Sequence, residues 1–336
     1  MAAPSGKSSN KKRILSGVKP TGKAHIGNYL GAMKNHVAMQ DEFESYIFIA
    51  DLHSLTSVKD KKELQQLIID IALDYLALGI DPDKTAFFRQ SDIPEHAELT
   101  WILNCVTPMS MLELAHAYKD AKARSDKEIN VGLFDYPVLM AVDILIYKPN
   151  LVPVGKDQKQ HVEIARDIAG KFNRIYGEVF KLPEPYIPEE VAVIPGTDGL
   201  KMSKSYGNTI EIFAPDKELK KQVMGIVTDS TPIEEPKNPD KDLVFKFYSY
   251  FATEAEKKSL GEKYLAGGFG YGEAKKMLLE KLLDQLRPYR QEREKLKQNP
   301  DYVKDVLKKG AEKARKVASA TKAEVWEKVG LNIQLL

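Results

Sequence analysis

Cysteine is nearly absent: Cys105 is the only one in 336 residues. No intrachain disulfide can form and no cysteine-based metal site can be assembled. That fits a reducing compartment, and a cytoplasmic location is expected. Long apolar runs are missing as well. None approaches the ~20 residues of a membrane span, so no membrane association is expected. The first stretch, MAAPSGKSSNKKR, has no apolar core of the kind a secretory signal needs. Residues 1–12 are expected to form a disordered polar tail. Net charge is also small, +2, but unevenly spread: +4 over the first thirteen residues, +6 over 271–336 and −8 between them. A basic end on an acidic body suits a polyanionic partner, although a lysine-rich helical surface would account for it equally well.

Short apolar strands alternate with amphipathic helices in the first half of the chain. RILSGV (13–18), SYIFIA (45–50) and TAFFR (85–89) read as strands. The segment 27–42 carries Leu30, Met33 and Val37 at helical spacing. Asp60 and Glu63 have the spacing of a capping box, and Leu64, Leu67, Ile68, Ile71, Tyr75 and Leu78 line one face of the helix that follows. Strand, helix, strand, helix, strand implies an α/β domain whose parallel sheet is covered on both faces, the doubly wound Rossmann-type arrangement. After about residue 205 the pattern becomes helical, over 240–251, 272–298 and 301–328. Leu278, Leu282 and Leu286 form one stripe; Val303, Val306, Leu307, Ala311, Ala314 and Val317 form another. Pro288 is expected to kink or end the middle helix. The expected division is an α/β domain over 13–205 and a helical domain over 206–336.

Three stretches could carry chemistry. SGVKPTGKAHIGNYLGA (16–32) joins the first strand to the first helix. Helix N-terminal amides and the helix dipole make such a junction an anion site, with His25 and Asn28 as further donors. Neither G-x-G-x-x-G nor G-x-x-x-x-G-K-[ST] occurs there, and a plain glycine-containing turn would look similar. PGTDGLKMSKSYGN (195–208) sets Lys201 and Lys204 among Gly196, Gly199 and Gly207. It reads either as a solvated loop or as a phosphate clamp whose glycines let it close and reopen. FDYPVLMAVDILIYKPNLVPVGKDQKQH (134–161) places Asp143 in an almost wholly apolar segment. A buried carboxylate needs a partner, whether a backbone N–H, an arginine or a ligand donor. VPVG in the same stretch reads as a buried strand, with Gly155–Gln158 at its C-terminal end, where doubly wound sheets bind ligands.

HIGN and KMSKS, in this order and at opposite ends of an α/β domain, resemble the two signatures of class I aminoacyl-tRNA synthetases. PTGKAHIGNYLGA, YPVLMAVDILIY, VPVGKDQKQH and PGTDGLKMSKSYGN are similar to the bacterial-type tryptophanyl-tRNA synthetase family. The likeness runs from about Arg13 to the C-terminus. It implies tryptophan activation by ATP, with Mg²⁺ accompanying the nucleotide, followed by transfer to tRNA(Trp). It places Lys19, Pro20, Thr21, His25, Gly27, Asn28, Gly155, Lys156, Asp157 and Ile194 at ATP. Lys201, Met202, Ser203, Lys204 and Ser205 would hold the pyrophosphate, with Lys119 assisting. Asp143 would accept the indole N–H, and Tyr136, Met140, His53 and Gln158 would line the amino-acid pocket. Indole nitrogen is a donor only, so a carboxylate suits it, and a phenyl ring would leave that carboxylate unpaired.

There are departures from the pattern. Asn28 stands where many class I enzymes carry a second histidine, Lys19 replaces a glutamine common in one subgroup, and Lys156 replaces a frequent glutamate. Some relatives hold an iron–sulfur cluster in the helical domain; LAGGFGYGEAKK here has no cysteine, so none is expected. The resemblance further implies a homodimer, with an interface around 87–111, and basic C-terminal helices that contact the tRNA anticodon arm, notably over 304–316. Tyrosyl-tRNA synthetases share the fold and mechanism, and Asp143 alone does not exclude tyrosine; the VPVGKDQKQH likeness favours tryptophan. A nucleic-acid-binding paralogue without ligation activity should have lost part of the ATP site, whereas both signatures are intact.

Overall fold

The computed structural model of the chain describes residues 11–115, 118, 119, 122, 129–155, 158–186 and 194–333. Five strands form one parallel sheet: β1 (Arg13–Val18), β2 (Glu44–Ile49), β3 (Thr85–Arg89), β4 (Leu151–Pro153) and β5 (Glu184–Tyr186), in the order β3-β2-β1-β4-β5. All four pairings are parallel, and β1 matches β2 residue for residue from Arg13↔Glu44 to Val18↔Ile49. The order reverses at β1, which makes the β1/β4 neighbourhood the switch point of a doubly wound sheet. Strands β1–β3 have the expected positions within a residue, because buried parallel strands read as unbroken apolar runs.

The chain divides into two compact units. One consists of residues through Thr21, Asn35–Glu190 and the stretch from Asn299 onward; the other consists of Gly22–Lys34 and Val191–Gln298. The compact units therefore do not part at residue 205.

In the sheet unit, α1 (Lys61–Ala77) begins at Asp60, whose side chain accepts from the Glu63 backbone N–H, and Gly79 takes a positive φ just past its end. Helices α2 (Glu95–Asn104), α3 (Val131–Leu145) and α4 (Lys159–Tyr176) pack in series, α2 on α3 and α3 on α4. The last helix, α8 (Pro300–Val329), lies on β3. Gly310 makes that contact possible: a Cβ there would overlap the Phe87 carbonyl. Val303, Val306, Ala311 and Ala314 are buried, as the periodicity implies.

The other unit holds α5 (Asp216–Met224), α6 (Leu243–Ser249, capped by Asp242), an intervening helix Glu254–Ala266, and α7 (Tyr271–Lys297). Leu278, Leu282 and Leu286 are buried, and α7 packs on α5 and α6. Helix α7 does not end at Pro288 but runs through it to Lys297. Side-chain packing along its 27 residues outweighs the one lost backbone hydrogen bond.

Candidate active site

Parallel strands deliver their following residues to one edge of the sheet. Lys19 follows β1, His53 follows β2 by one short turn, Gln90 follows β3 and Gly155 follows β4. Lys19 Nζ donates to Thr56 Oγ1 at 3.1 Å, and burial pushes its pKa down. The carbonyl of buried Pro20 accepts from Ser54 Oγ at 3.2 Å, and Thr21 is exposed. Gly155 is half-buried and its carbonyl accepts from Gln158 N–H, at the start of α4. Lys119 is exposed. Lys156 and Asp157 lie outside the described residues.

Asp143, on α3, is 1% exposed and accepts three side-chain hydrogen bonds. His53 Nε2 donates to Oδ2 at 2.7 Å; Gln90 Nε2 and His96 Nδ1 donate to Oδ1 at 2.7 and 2.5 Å. His96, with its proton on Nδ1, accepts the Tyr147 hydroxyl at Nε2 over 2.7 Å. Burial alone would push the Asp143 carboxyl up, but the hydrogen bonds from His53 and His96 outweigh it and hold it well below the usual carboxylate range. Among the described residues the partners are thus two imidazoles and an amide, not a backbone N–H or an arginine. One expectation needs correcting here: a phenyl ring would not leave Asp143 unpaired, because three donors already meet it.

Tyr136 and Met140 lie seven and three residues before Asp143 on α3, so they share its helical face. Tyr136 OH is 2.7 Å from His161 Nε2, and its ring meets His53 edge-on with centroids 6.1 Å apart. His53, Tyr136 and Asp143 are thus brought together, and Met140 lies on the same helix as Tyr136 and Asp143. Gln158 stands one turn before His161 on α4. Sequence reasoning missed Gln90, His96, Tyr147 and His161. The available signal was a polar residue at the end of a strand (Gln90) and histidines on otherwise apolar helix faces.

In the other unit, HIGN and KMSKS are held against each other. His25 and Asn28 cap each other: His25 Nδ1 accepts from Asn28 N–H at 3.3 Å and Asn28 Oδ1 accepts from His25 N–H at 3.2 Å. The His25 proton is therefore on Nε2, which leaves a neutral donor. Burial first, and the Lys204 charge second, push its pKa down to about 4. Gly27 N–H points at Met202 Sδ, 3.4 Å away, and Ile26 N–H donates to Ile210 C=O at 2.9 Å. Residues Tyr29–Met33 form a π-helical turn directly after the motif, a distortion that recurs at functional sites.

The KMSKS loop is tightly built. Met202 N–H donates to the carbonyl of buried Ile194 at 3.0 Å. Buried Asn208 accepts from Ser203 N–H at 2.8 Å and donates to Asp198 and to the Lys201 carbonyl. Gly199 and Gly207 have positive φ and form turns, while Gly196 is a packing glycine whose Cβ would overlap the Asn208 side chain. The expected hinge role therefore has a competing reason at Gly196. Lys201 and Ser205 are exposed, and the Lys204 side chain passes beside Gly22, whose φ is +120°.

A doubly wound parallel sheet, an HIGN helix start and a KMSKS loop hydrogen-bonded to it define a class I aminoacyl-tRNA synthetase. The sequence model of the family described as tRNA synthetases class I (W and Y) matches residues 7–287. The chain is similar to the tryptophan–tRNA ligase of Fusobacterium nucleatum, 55% identical over 321 residues that cover 95% of this chain and 98% of that one. It is 49% identical to that of Campylobacter jejuni over 319 residues, covering 95% and 100%. A crystal structure of C. jejuni tryptophanyl-tRNA synthetase complexed with ADP and tryptophan matches with a TM-score of 0.91 at 48% identity, over 95% of this chain and 99% of that one. The chain belongs to the bacterial-type tryptophanyl-tRNA synthetase family.

Proposed function

We propose that this tryptophan–tRNA ligase reads the indole with Asp143 and handles ATP with its two signature loops. The substrate carboxylate attacks the α-phosphorus of ATP, the bond to the bridging oxygen breaks, and pyrophosphate leaves. A hydroxyl of the 3′-terminal adenosine of tRNA(Trp) then attacks the acyl carbon and releases AMP. The observation that carries the reading is the buried, ionised Asp143. Among the described residues its Oδ2 accepts from His53, and a second lone pair there suits the indole N–H. Tyr136, Met140, His53 and Gln158 complete the pocket.

ATP would enter as its magnesium complex, the metal offsetting charge on the phosphates. Lys201 and Lys204, assisted by Lys119, stabilise the charge that develops on the leaving pyrophosphate. Neutral His25 donates from Nε2, with Gly27 and Asn28 at the helix start beside it. Lys19, Pro20, Thr21, Gly155, Lys156, Asp157 and Ile194 serve the nucleoside, and Met202, Ser203 and Ser205 shape the loop. The test is exchange of labelled pyrophosphate into ATP. Tryptophan should drive it and tyrosine should not; Lys204→Ala should abolish it without loss of fold. Exchange driven by tyrosine alone would overturn the assignment.

For tRNA, the described residues offer a groove of about 710 Å³ on α7, lined by Phe213, Arg287, Arg290, Arg293 and Lys295 among others. Arg293 sits over the Phe213 ring, 5.1 Å from its centroid. Guanidinium and aromatic planes suit an unpaired base, and the charges suit its phosphates. The exposed lysines of 304–316 are a second basic surface. A homodimer and a cytoplasmic setting complete the reading. Exposed Trp101 and Met109 support the dimer, whereas Phe87 and Phe88, at the start of the expected 87–111 interface, are buried in the sheet core.

A further inference from the structure

The last helix, α8, grips the sheet unit at two points, and the two points share a neighbour. Arg315 Nε and Ser319 Oγ both donate to Oε1 of Glu95, at 3.1 and 2.7 Å, and Glu95 is 2% exposed. Lys322 Nζ pairs with Glu98, one turn further along α2, at 2.7 Å. Elsewhere on α8, Glu324 takes Lys148 Nζ with both carboxylate oxygens, at 2.8 and 2.7 Å. Lys148 has a φ of +48° and is the only non-glycine among the described residues with a positive value. A side chain in that region is strained unless its surroundings hold it.

The residue after Glu95 is His96, and the residue before Lys148 is Tyr147. These two make the relay behind the carboxylate, Tyr147 hydroxyl to His96 Nε2 and His96 Nδ1 to Asp143 Oδ1. Both are fully buried. The helix thus holds the side chains next in sequence to His96 and to Tyr147, the two residues of that relay.

We infer that Arg315, Ser319 and Glu324 are positioning residues for tryptophan recognition, acting through Glu95 and Lys148 on the His96–Tyr147 relay that aims the Asp143 carboxylate. The inference rests on the reading of Asp143 as the indole acceptor. Its physical basis is the angular dependence of hydrogen bonds. A small rotation of α2 at Glu95 turns the His96 ring, and the carboxylate turns with it. The hydrogen bonds to Asp143 come from His53, Gln90 and His96 and from none of these three residues, so their loss should act on amino-acid affinity through the relay and leave the nucleotide alone.

The experiment is pyrophosphate exchange with the full chain, with the KM for tryptophan and the KM for ATP measured separately. Arg315→Ala combined with Ser319→Ala should raise the KM for tryptophan by about tenfold and leave that for ATP within about twofold. Glu324→Gln, a change on the exposed side of the helix, should do the same more weakly. Tyr147→Phe, which cuts the relay from inside, should reproduce the split. Arg315→Lys with Ser319→Thr should restore most of the affinity. A brace with only a structural role would lower Tm without splitting the two KM values, or shift both KM values together, and either result overturns the inference. Asp143→Asn separates the two failures. If it leaves the KM for tryptophan unchanged, the pocket reading itself is wrong. If it raises that KM while the α8 variants do not, only the positioning role fails.

Discussion

Histidine protonation links single residues to the stability of the fold. Burial holds His25 and His36 near a pKa of about 4, below their ordinary 6.5, with the Lys204 charge adding to the effect at His25. Between those values the unfolded chain binds more protons than the folded one. Stability is therefore full above about pH 6.5 and is lost as pH falls through the window, by about 1.4 kcal/mol per pH unit for each histidine. Urea unfolding at about pH 7.5 and about pH 5 should show the drop, and His36→Phe should make the difference smaller; an equal drop in that variant would count against the assignment. At the KMSKS loop, Gly196→Ala should push Asn208 off Ser203 and Lys201 and slow exchange by about tenfold or more. An active, unperturbed Gly196→Ala enzyme would show that the loop gives way at no cost. Residues of this kind differ in how legible they are. Asp143 announces itself by standing in an almost wholly apolar stretch of its helix. His96 does not, because its partners are named only once distant helices meet, and Asn208 does not, because its partners depend on how one irregular loop folds back on itself. The Asp143–His96 contact spans 47 residues of sequence and the His96–Tyr147 contact spans 51.

Elements were legible where periodicity was strong. β1 and the Lys61–Ala77 helix lie where the sequence places them, since an apolar run or a capping residue fixes each end. The Glu254–Ala266 helix was missed, because only Leu260 and Tyr264 of its thirteen residues are buried and no stripe forms. Its signal was the Thr253–Glu256 capping box, present in full. β5, Glu-Pro-Tyr, is three residues with a central proline, and nothing local marks it as a strand. Two substitutions test the packing of the helices. Leu282→Ala on α7 removes a fully buried side chain and should cost about 2–5 kcal/mol in chemical denaturation. Gly310→Ala on α8 drives a methyl into the backbone of Phe87 and should cost about 3 kcal/mol or more, because backbone cannot move aside as a side chain can. A loss under about 1 kcal/mol would mean that α8 is not seated on β3 as described.

On the scale of the molecule, the switch from alternating elements to helices near residue 205 was legible, but which helix serves which unit was not. The alanine- and glycine-rich face of α8 looks like any amphipathic helix until Gly310 is seen against Phe87. Removing residues from Asn299 onward should therefore uncover β3 and prevent cooperative folding of the sheet unit. Circular dichroism melts of the 1–298 fragment would check this, and a sharp transition like that of the full chain would refute it.

The sheet unit is assembled from three stretches of chain, and its last begins at Asn299. A ribosome releases residues in order, so β1 to β5 emerge long before the helix that covers β3. During that interval an apolar strand face has no native cover, the state most exposed to aggregation. The other unit, once Gly22–Lys34 and Val191–Gln298 have emerged, waits for nothing further. Synthesis therefore favours closing the unit that carries both signature motifs before the unit that carries Asp143, although the sheet is made first. Chaperone dependence should accordingly concentrate on nascent chains stalled just short of α8.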